Sequence, residues 1–325
     1  MQLTIITPVF NCAPYLRKGF EHLLPLYSSN IEFEVIYVND GSTDNSLVIL
    51  EELSNKNKNI KIITQENQGS SGARNTAIEI AKGDFIQFLD ADDYLDINKL
   101  MSLLVEAKQT NLDVLGYRLD YINEFDEQIG IRPIQTVSQN KVISGEDALI
   151  QGYQPSSICV FLFRTEFLNK NNLRITPKIT HMDVEFTLRV MLKANKVFFV
   201  DEIIYHYLQR EGSITNPVSI EKLEQLLFDE VKIAKMMRDN IDSAMPKQVV
   251  NVVQKNYNSV VWNLLWRFVV KRKEVSLAFK LKCIDQLTAD KLYPIQGELK
   301  TRFQKLTRTP FNIKFIFEFL IRRFK

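Results

Sequence analysis

Cysteine is scarce: Cys12, Cys159 and Cys283 are spread over 325 residues. Three thiols this far apart form neither a disulfide framework nor a metal-ligand cluster, so a reducing, cytoplasmic setting is expected. No stretch approaches the roughly 20 apolar residues that cross a bilayer. The opening Met1-Gln2-Leu3-Thr4-Ile5-Ile6 has no basic segment and no long apolar run, so it does not read as a signal peptide. Net charge is only +2, and no nucleic-acid partner is expected. Two phosphate fingerprints are also missing. No Gly-x-Gly-x-x-Gly follows the first apolar run, and there is no Gly-x-x-x-x-Gly-Lys loop. Any phosphates bound here are expected to be handled by metal rather than by a glycine loop. There is no internal repeat and no low-complexity tract.

What is present is an ordinary globular composition, 45% hydrophobic and 25% charged, long enough for one large or two modest domains. In the first hundred residues strand and helix signals alternate. Runs 3–7, 33–38, 60–64 and 85–89 are short and apolar or β-branched. Between them, 14–24 opens on Pro14, 44–53 follows Ser42 and Thr43 as candidate caps, and 71–81 ends near Gly83 as a candidate C-terminal cap. This βαβαβαβ order predicts an α/β fold with a largely parallel sheet and helices on both faces. Ligands in such sheets bind outside the carboxyl ends of the strands. From about 110 to 215 the pattern is mixed. Strands are expected at 114–119, 158–163, 197–200 and 203–207, and a helix at 182–193 with Phe186, Val190 and Met191 on one side. Beyond Pro217 the chain reads as helical, and Gly297 is the only glycine after Gly212.

The chemistry-bearing residues follow the strands. After the first comes Thr7-Pro8-Val9-Phe10-Asn11, where proline is expected to end sheet pairing; a plain turn is the alternative. After the second, Asn39-Asp40-Gly41-Ser42-Thr43-Asp44 places Asp40 just ahead of a helix. Its carboxylate suits a ring N–H such as uracil N3–H and would repel a phosphate; an Asx turn or helix cap is the alternative. After the third, Gln68-Gly69-Ser70-Ser71-Gly72-Ala73-Arg74-Asn75 lets the backbone approach a ligand. Arg74, expected in a first helical turn, opposes the macrodipole there and calls for an anionic or carbonyl partner. The alternative is a surface pair with Glu66 or Asp40. The fourth strand leads into Leu89-Asp90-Ala91-Asp92-Asp93. Three carboxylates there repel one another unless a cation or donors lie between them. A hard divalent ion, Mg²⁺ or Mn²⁺, is one answer and neutralises a diphosphate. A cap for a helix starting near Asn98 is the other.

These four segments, in order and each at a strand end, resemble the family 2 glycosyltransferases of the GT-A fold. The resemblance covers about the first 215 residues. It implies that Asp40 and Arg74 hold a uracil ring with Pro8 and Phe10 beside it, that Asp90 binds ribose, and that Asp92 binds the metal. Thr7 and Ala91 belong to the same donor-binding set. It also implies an acceptor-side base in a Glu-Asp-x-x-Phe pattern, matched by Met182-Asp183-Val184-Glu185-Phe186. Asp183 keeps the base position, while Met182 replaces the usual acid and removes a neighbouring negative charge; a cap for the helix holding Phe186 is the alternative for Asp183. Tyr205-His206-Tyr207-Leu208-Gln209-Arg210-Glu211-Gly212-Ser213 looks like the family's Tyr-rich strand and Arg-x-Gly-Ser loop. Arg210 and Ser213 are expected to close over the diphosphate, or to form an ordinary turn; His206 is a further candidate for reaching the metal.

The expected architecture is therefore a GT-A domain over 1–216, split into donor binding (1–110) and acceptor side (111–216), with a helical region over 217–325. The expected activity is inverting transfer of a sugar from a nucleotide diphosphate sugar to a glycan or lipid-linked acceptor in cell-surface polysaccharide synthesis. The alternatives are a sugar-1-phosphate nucleotidyltransferase, whose usual glycine-rich loop is missing, and a non-catalytic nucleotide-sugar-binding protein. In the last 25 residues seven Lys and Arg face Glu318, a balance of about +6. Residues 311–325 can form one helix with Lys314, Glu318, Arg322 and Lys325 on one face. That helix either lies on an anionic membrane, giving a peripheral location on its inner face, or packs on protein. Trp262, Leu265, Trp266 and Val269 read as core or as a homodimer face.

Overall fold

The computed structural model describes residues 1–133, 135–209, 219–270 and 275–322. They fall into two compact units, Met1–Lys178 with Phe186–Glu211, and Ile179–Glu185 with Gly212–Lys325.

The first unit opens with β1 (Leu3–Val9), α1 (Ala13–Glu21), α2 (Leu24–Tyr27), β2 (Phe33–Asp40), α3 (Ser46–Lys56), β3 (Ile60–Gln65), α4 (Gly69–Ile80) and β4 (Phe85–Phe88). It continues through β5 (Tyr94–Leu95), α5 (Ile97–Gln109), β6 (Val114–Ile122), β7 (Gln128–Ile131), α6 (Gly145–Gln151), β8 (Phe161–Arg164), α7 (Thr165–Lys170), α8 (Met182–Lys193, whose first four residues group with the second unit) and β9 (Val197–Leu208). The sheet order is β3-β2-β1-β4-β8-β6-β9-β5, with β7 beside β6. The first four strands are parallel. β8 then runs antiparallel to β4 and β6, β9 runs parallel to β6, and β5 and β7 are antiparallel additions. Every residue of β2 is buried, as expected of a parallel strand covered on both faces.

Several local expectations are corrected. Pro8 does not end β1; it pairs in register with Val38, and the strand runs on to Val9. The Ile6 carbonyl faces β4, where it accepts from the Leu89 N–H. Pro8, two residues on, faces the same side beyond the end of β4, so its missing N–H breaks no ladder bond. Neither Ser42 nor Thr43 caps α3, whose N-cap is Asn45. Gly83 is no helix cap either: a Cβ there would lie 2.4 Å from the Thr4 backbone nitrogen, so the residue is needed for close approach to β1. Asp96 caps α5 by accepting from the Lys99 N–H, which removes the capping explanation for Asp90, Asp92 and Asp93. Residues 158–160 form a 3₁₀ turn ahead of β8, and the two strands expected at 197–207 are one strand, β9, whose pairing with β6 is irregular between Gly116 and Leu119.

The second unit contains α9 (Ile220–Asp239), α10 (Lys247–Val270), α11 (Leu277–Ala289), α12 (Arg302–Asn312) and α13 (Lys314–Arg322). Trp262 and Leu265 are core, and Trp262 stacks on Phe311 with Phe303 edge-on. The face read as core or dimer contact is thus core at these two positions. The tail is not one helix. The Tyr293 hydroxyl donates to the Phe311 carbonyl, Asn312 exchanges two hydrogen bonds with the Ile295 backbone, and Ile313 is extended between α12 and α13. No helix among the described residues is long and apolar enough to cross a membrane.

Candidate active site

The loops after β1 and β2 are stitched together by side chains. Asn11, in the left-handed region at φ 52, accepts through Oδ1 from the N–H groups of Thr43 and Asp44 at 2.8 and 3.3 Å. Its own N–H donates to Ser42 Oγ at 3.1 Å, and Asp44 accepts from the Ala13 N–H at the start of α1. Ser42 and Thr43 therefore serve the neighbouring loop instead of their own helix, while Asp44 serves both, its Oδ1 also accepting from the Ser46 N–H at the start of α3 at 2.9 Å. Phe10 stands 49% exposed beside this lock, and Pro8 is half-buried. Thr7 is buried, and its hydroxyl has no hydrogen-bond partner among the described residues. Such a group calls for a ligand or water.

Asp40 ends β2 and is buried. Its Oδ1 accepts from Gln65 Nε2 at 2.7 Å and from the Gln68 N–H at 2.9 Å. Both bonds fall on one oxygen, and neither belongs to the helix that follows Asp40. Gly41, at φ 76, brings the chain so close to Asn67 that a Cβ would lie 3.1 Å from its backbone nitrogen. Asp40 thus fixes the segment that opens α4.

Arg74 lies in the second turn of α4, since that helix begins at Gly69, so the expected conflict with the first-turn dipole does not arise. It is buried, and neither Glu66 nor Asp40 is its ion-pair partner: its Nη2 pairs with Asp90 Oδ1 beyond β4. The Cys159 thiol lies 3.9 Å from the other Asp90 oxygen. The Asp90 N–H donates to the Tyr205 hydroxyl at 3.2 Å, and that hydroxyl donates to Asp93 Oδ2 at 2.6 Å. Asp93 Oδ1 accepts from the Leu208 N–H at 2.8 Å. Burial, reinforced by the charges of Asp90 and Asp92, pushes the Asp93 carboxyl well above the ordinary carboxylate range. Ala91 is buried between the two half-buried acids Asp90 and Asp92.

The carboxylates after β4 therefore divide by role. Asp93 is held by donors from β9, Asp90 by Arg74, and Asp92 stands half-buried beside them. Among the described residues no group of three His, Cys, Asp or Glu could hold a metal unaided. The donor set fits a hard cation that draws most of its ligands from a diphosphate and water, as Mg²⁺ and Mn²⁺ do, and does not fit an all-protein cage. His206 is not part of this cluster. It neighbours Tyr205 on β9 and so faces the opposite side of the strand, where its Nδ1 lies 2.7 Å from Asp120 Oδ1.

Asp183 is in the first turn of α8, within the segment that groups with the second unit. The residues ahead of it are pinned: Thr180 donates through its N–H and hydroxyl to Asp229 Oδ2, at 3.0 and 2.9 Å. Asp229 is buried and also accepts from Lys232 and Gln225. Arg210 and Ser213 lie outside the described residues. Sequence reading missed Tyr205, Cys159, Asn11 and Asp229 as supports. Tyr205 and Asn11 carried a signal, as part of the tyrosine-rich strand and of the Thr7–Asn11 segment; Cys159 and Asp229 did not.

A family model described as "Glycosyl transferase family 2" matches residues 4–169. The "Uncharacterized glycosyltransferase EpsJ" of Bacillus subtilis (strain 168) is 31% identical over 66% of this chain; the match spans 62% of EpsJ, less than two thirds of its length. S. aureus TarS 1–349 in complex with UDP-GlcNAc superposes with a TM-score of 0.65 and 22% identity, covering 89% of this chain and 80% of TarS 1–349. The mannosyltransferase PcManGT from Pyrobaculum calidifontis, in complex with GDP-Man and Mn²⁺, has a TM-score of 0.53 and 14% identity, covering 98% and 85%. At these identities the solved structures establish the fold, an α/β sheet with flanking helices as expected from the sequence, its sheet parallel through β3-β2-β1-β4 and mixed beyond.

Proposed function

The chain belongs to glycosyl transferase family 2, and from that premise we propose that it transfers a sugar from a UDP-sugar to a glycan or lipid-linked acceptor in cell-surface polysaccharide synthesis. The observation that carries this reading is a run of contacts at the carboxyl ends of β2 and β4, where open α/β sheets bind ligands: Asp40 holds the opening of α4, and Arg74 on that helix pairs with Asp90. Asp40 has one oxygen committed to protein donors and a second to offer uracil N3–H. Arg74 holds the base side and steadies Asp90 for the ribose. Thr7, Pro8, Phe10 and Ala91 line the same donor region, and the family motif adds Arg210 and Ser213 at the diphosphate. In the proposed division, residues 1–110 bind donor, 111–216 serve the acceptor, and 217–325 form the helical region.

Asp92 would hold a divalent cation, which would supply charge neutralisation for the departing diphosphate. The protein's own part is positioning and proton transfer. Asp183 accepts the proton of the acceptor hydroxyl as that oxygen bonds to the anomeric carbon, and the bond from that carbon to the diphosphate oxygen breaks on the opposite face. The result is inversion. UDP release from a panel of UDP-sugars, with manganese or with EDTA, tests the reading. Sugar-dependent turnover with manganese supports it. UDP binding without turnover of any donor would leave a nucleotide-sugar-binding protein instead.

For the tail we propose contact with an anionic membrane surface. Phe317 and Ile321 are buried within their own unit, whereas Phe315 is 80% and Leu306 79% exposed among basic residues. Flotation with phosphatidylglycerol vesicles should be lost on Phe315→Glu; unchanged flotation would assign the face to protein.

A further inference from the structure

A row of residues crosses the mixed half of the sheet and ends at the carboxylate segment after β4. Gly130 on β7 pairs with Tyr121 on β6, and Tyr121 pairs with Tyr207 on β9. The antiparallel register Tyr94↔His206 then places Asp93 opposite Tyr207. The register is matched by side-chain contact. The Tyr121 and Tyr207 rings lie 5.9 Å apart at 80°. A Cβ on Gly130 would sit 3.4 Å from Tyr121 Cδ2, so the Tyr121 ring lies over bare backbone. Both tyrosines are half-buried. Tyr207 shares its face of β9 with Tyr205, whose hydroxyl touches the Asp90 N–H and Asp93.

None of the donor-site roles uses this row. Its chemistry is an aromatic face bounded by a second ring and by phenolic hydroxyls. That combination suits a pyranose, which presents C–H groups on its faces and hydroxyls at its rim. Among the described residues, the row itself carries no cation for a polyol phosphate. We propose that Tyr121 and Tyr207 form the acceptor subsite, with Tyr121 stacking on the terminal pyranose of an acceptor glycan. This rests on the transferase reading and narrows its acceptor to a sugar ring. The row is continuous with the donor cluster through Asp93 and Tyr205, which is why the occupant is the acceptor and not an unrelated ligand.

Saturation-transfer-difference NMR tests it on the full chain with UDP and manganese. The probes are methyl β-glycosides of glucose, galactose and N-acetylglucosamine, with ribitol 5-phosphate alongside. Ring C–H saturation is expected for at least one glycoside. Its affinity should fall about three- to tenfold in Tyr121→Ala and Tyr121→Leu and be kept in Tyr121→Phe. UDP affinity, unchanged in all three variants, reports that they fold. Saturation of ribitol 5-phosphate alone, no glycoside signal in the wild type, or a signal indifferent to Tyr121→Ala and Tyr121→Leu would each overturn the proposal. Glycoside binding that depends on Tyr121, in a protein that does not bind UDP, would instead sink the donor reading and leave the subsite standing.

Discussion

In the parallel half of the sheet, each strand end is tied to a neighbouring segment through a side chain: Asn11 to the β2 loop, Asp40 to the opening of α4, Asp90 to Arg74 on α4. In the mixed half, β9 works from underneath, lending the Tyr205 hydroxyl and the Leu208 N–H to Asp93 while Tyr207 and His206 face opposite ways. In the proposed reading the first half offers the donor preformed acceptors and the buried Arg74 cation. The second buttresses the carboxylate segment and extends an aromatic surface away from it. A transferase needs both, because a donor must be bound rigidly while acceptors vary. On this account, donor affinity resides in the parallel half, and transfer depends on residues that donor affinity does not need.

The strongest way to break that division is Asp183→Asn. Transfer should fall about 10²–10⁴-fold, with UDP affinity in calorimetry nearly intact. Parallel loss of UDP binding would erase the distinction. Asp92→Ala should lower manganese-dependent UDP affinity about tenfold or more, an effect that EDTA reproduces in the wild type. Equal affinity with and without manganese would remove the metal role.

A smaller effect sharpens the buttress. Asp93→Ala leaves the Tyr205 hydroxyl and the Leu208 N–H without their acceptor and should cost about 1–3 kcal/mol in urea unfolding. Asp93→Asn, which keeps an acceptor for Leu208, should cost less; equal costs would mean that packing alone matters there. The smallest effect lies behind β9. His22 stacks on Tyr94 at 4.0 Å, and burial pushes its imidazole below the ordinary 6.5, with Lys18 and His206 also lowering it and Asp126 and Glu21 opposing. The unfolded chain then binds that proton more tightly. Stability from His22 is full above 6.5 and is lost as pH falls through the lowered value. Thermal melts from about pH 7 to about pH 5 should flatten in His22→Gln. An identical slope would show that the histidine is not strained.

The sequence revealed the parallel half well and the mixed half poorly, for a physical reason. Asp40 and Asp90 directly follow apolar runs, and Arg74 lies in the glycine-bearing segment after a third, so local order announces them. The partners that hold them are distant. Tyr205 is 112 residues from Asp93, and Ser42 is 31 residues from Asn11, so cap signals at Ser42 and Thr43 pointed to the wrong helix. Gly83 looked like a helix terminator because only the fold brings Thr4 against it. The tail read as one helix because Tyr293 and Ile295, which end α12, are not in it.

The central claim is that Asp40 reads the base at the end of β2. Titration calorimetry of UDP and CDP with manganese, into wild type and Asp40→Asn, tests it most directly. The asparagine keeps a carbonyl for Gln68 but turns an amide N–H toward the base, where uracil N3–H repels it and cytosine N3 accepts it. The account predicts that the wild type prefers UDP, and that the substitution weakens UDP about tenfold while narrowing or inverting the preference. UDP affinity unchanged in Asp40→Asn would contradict it.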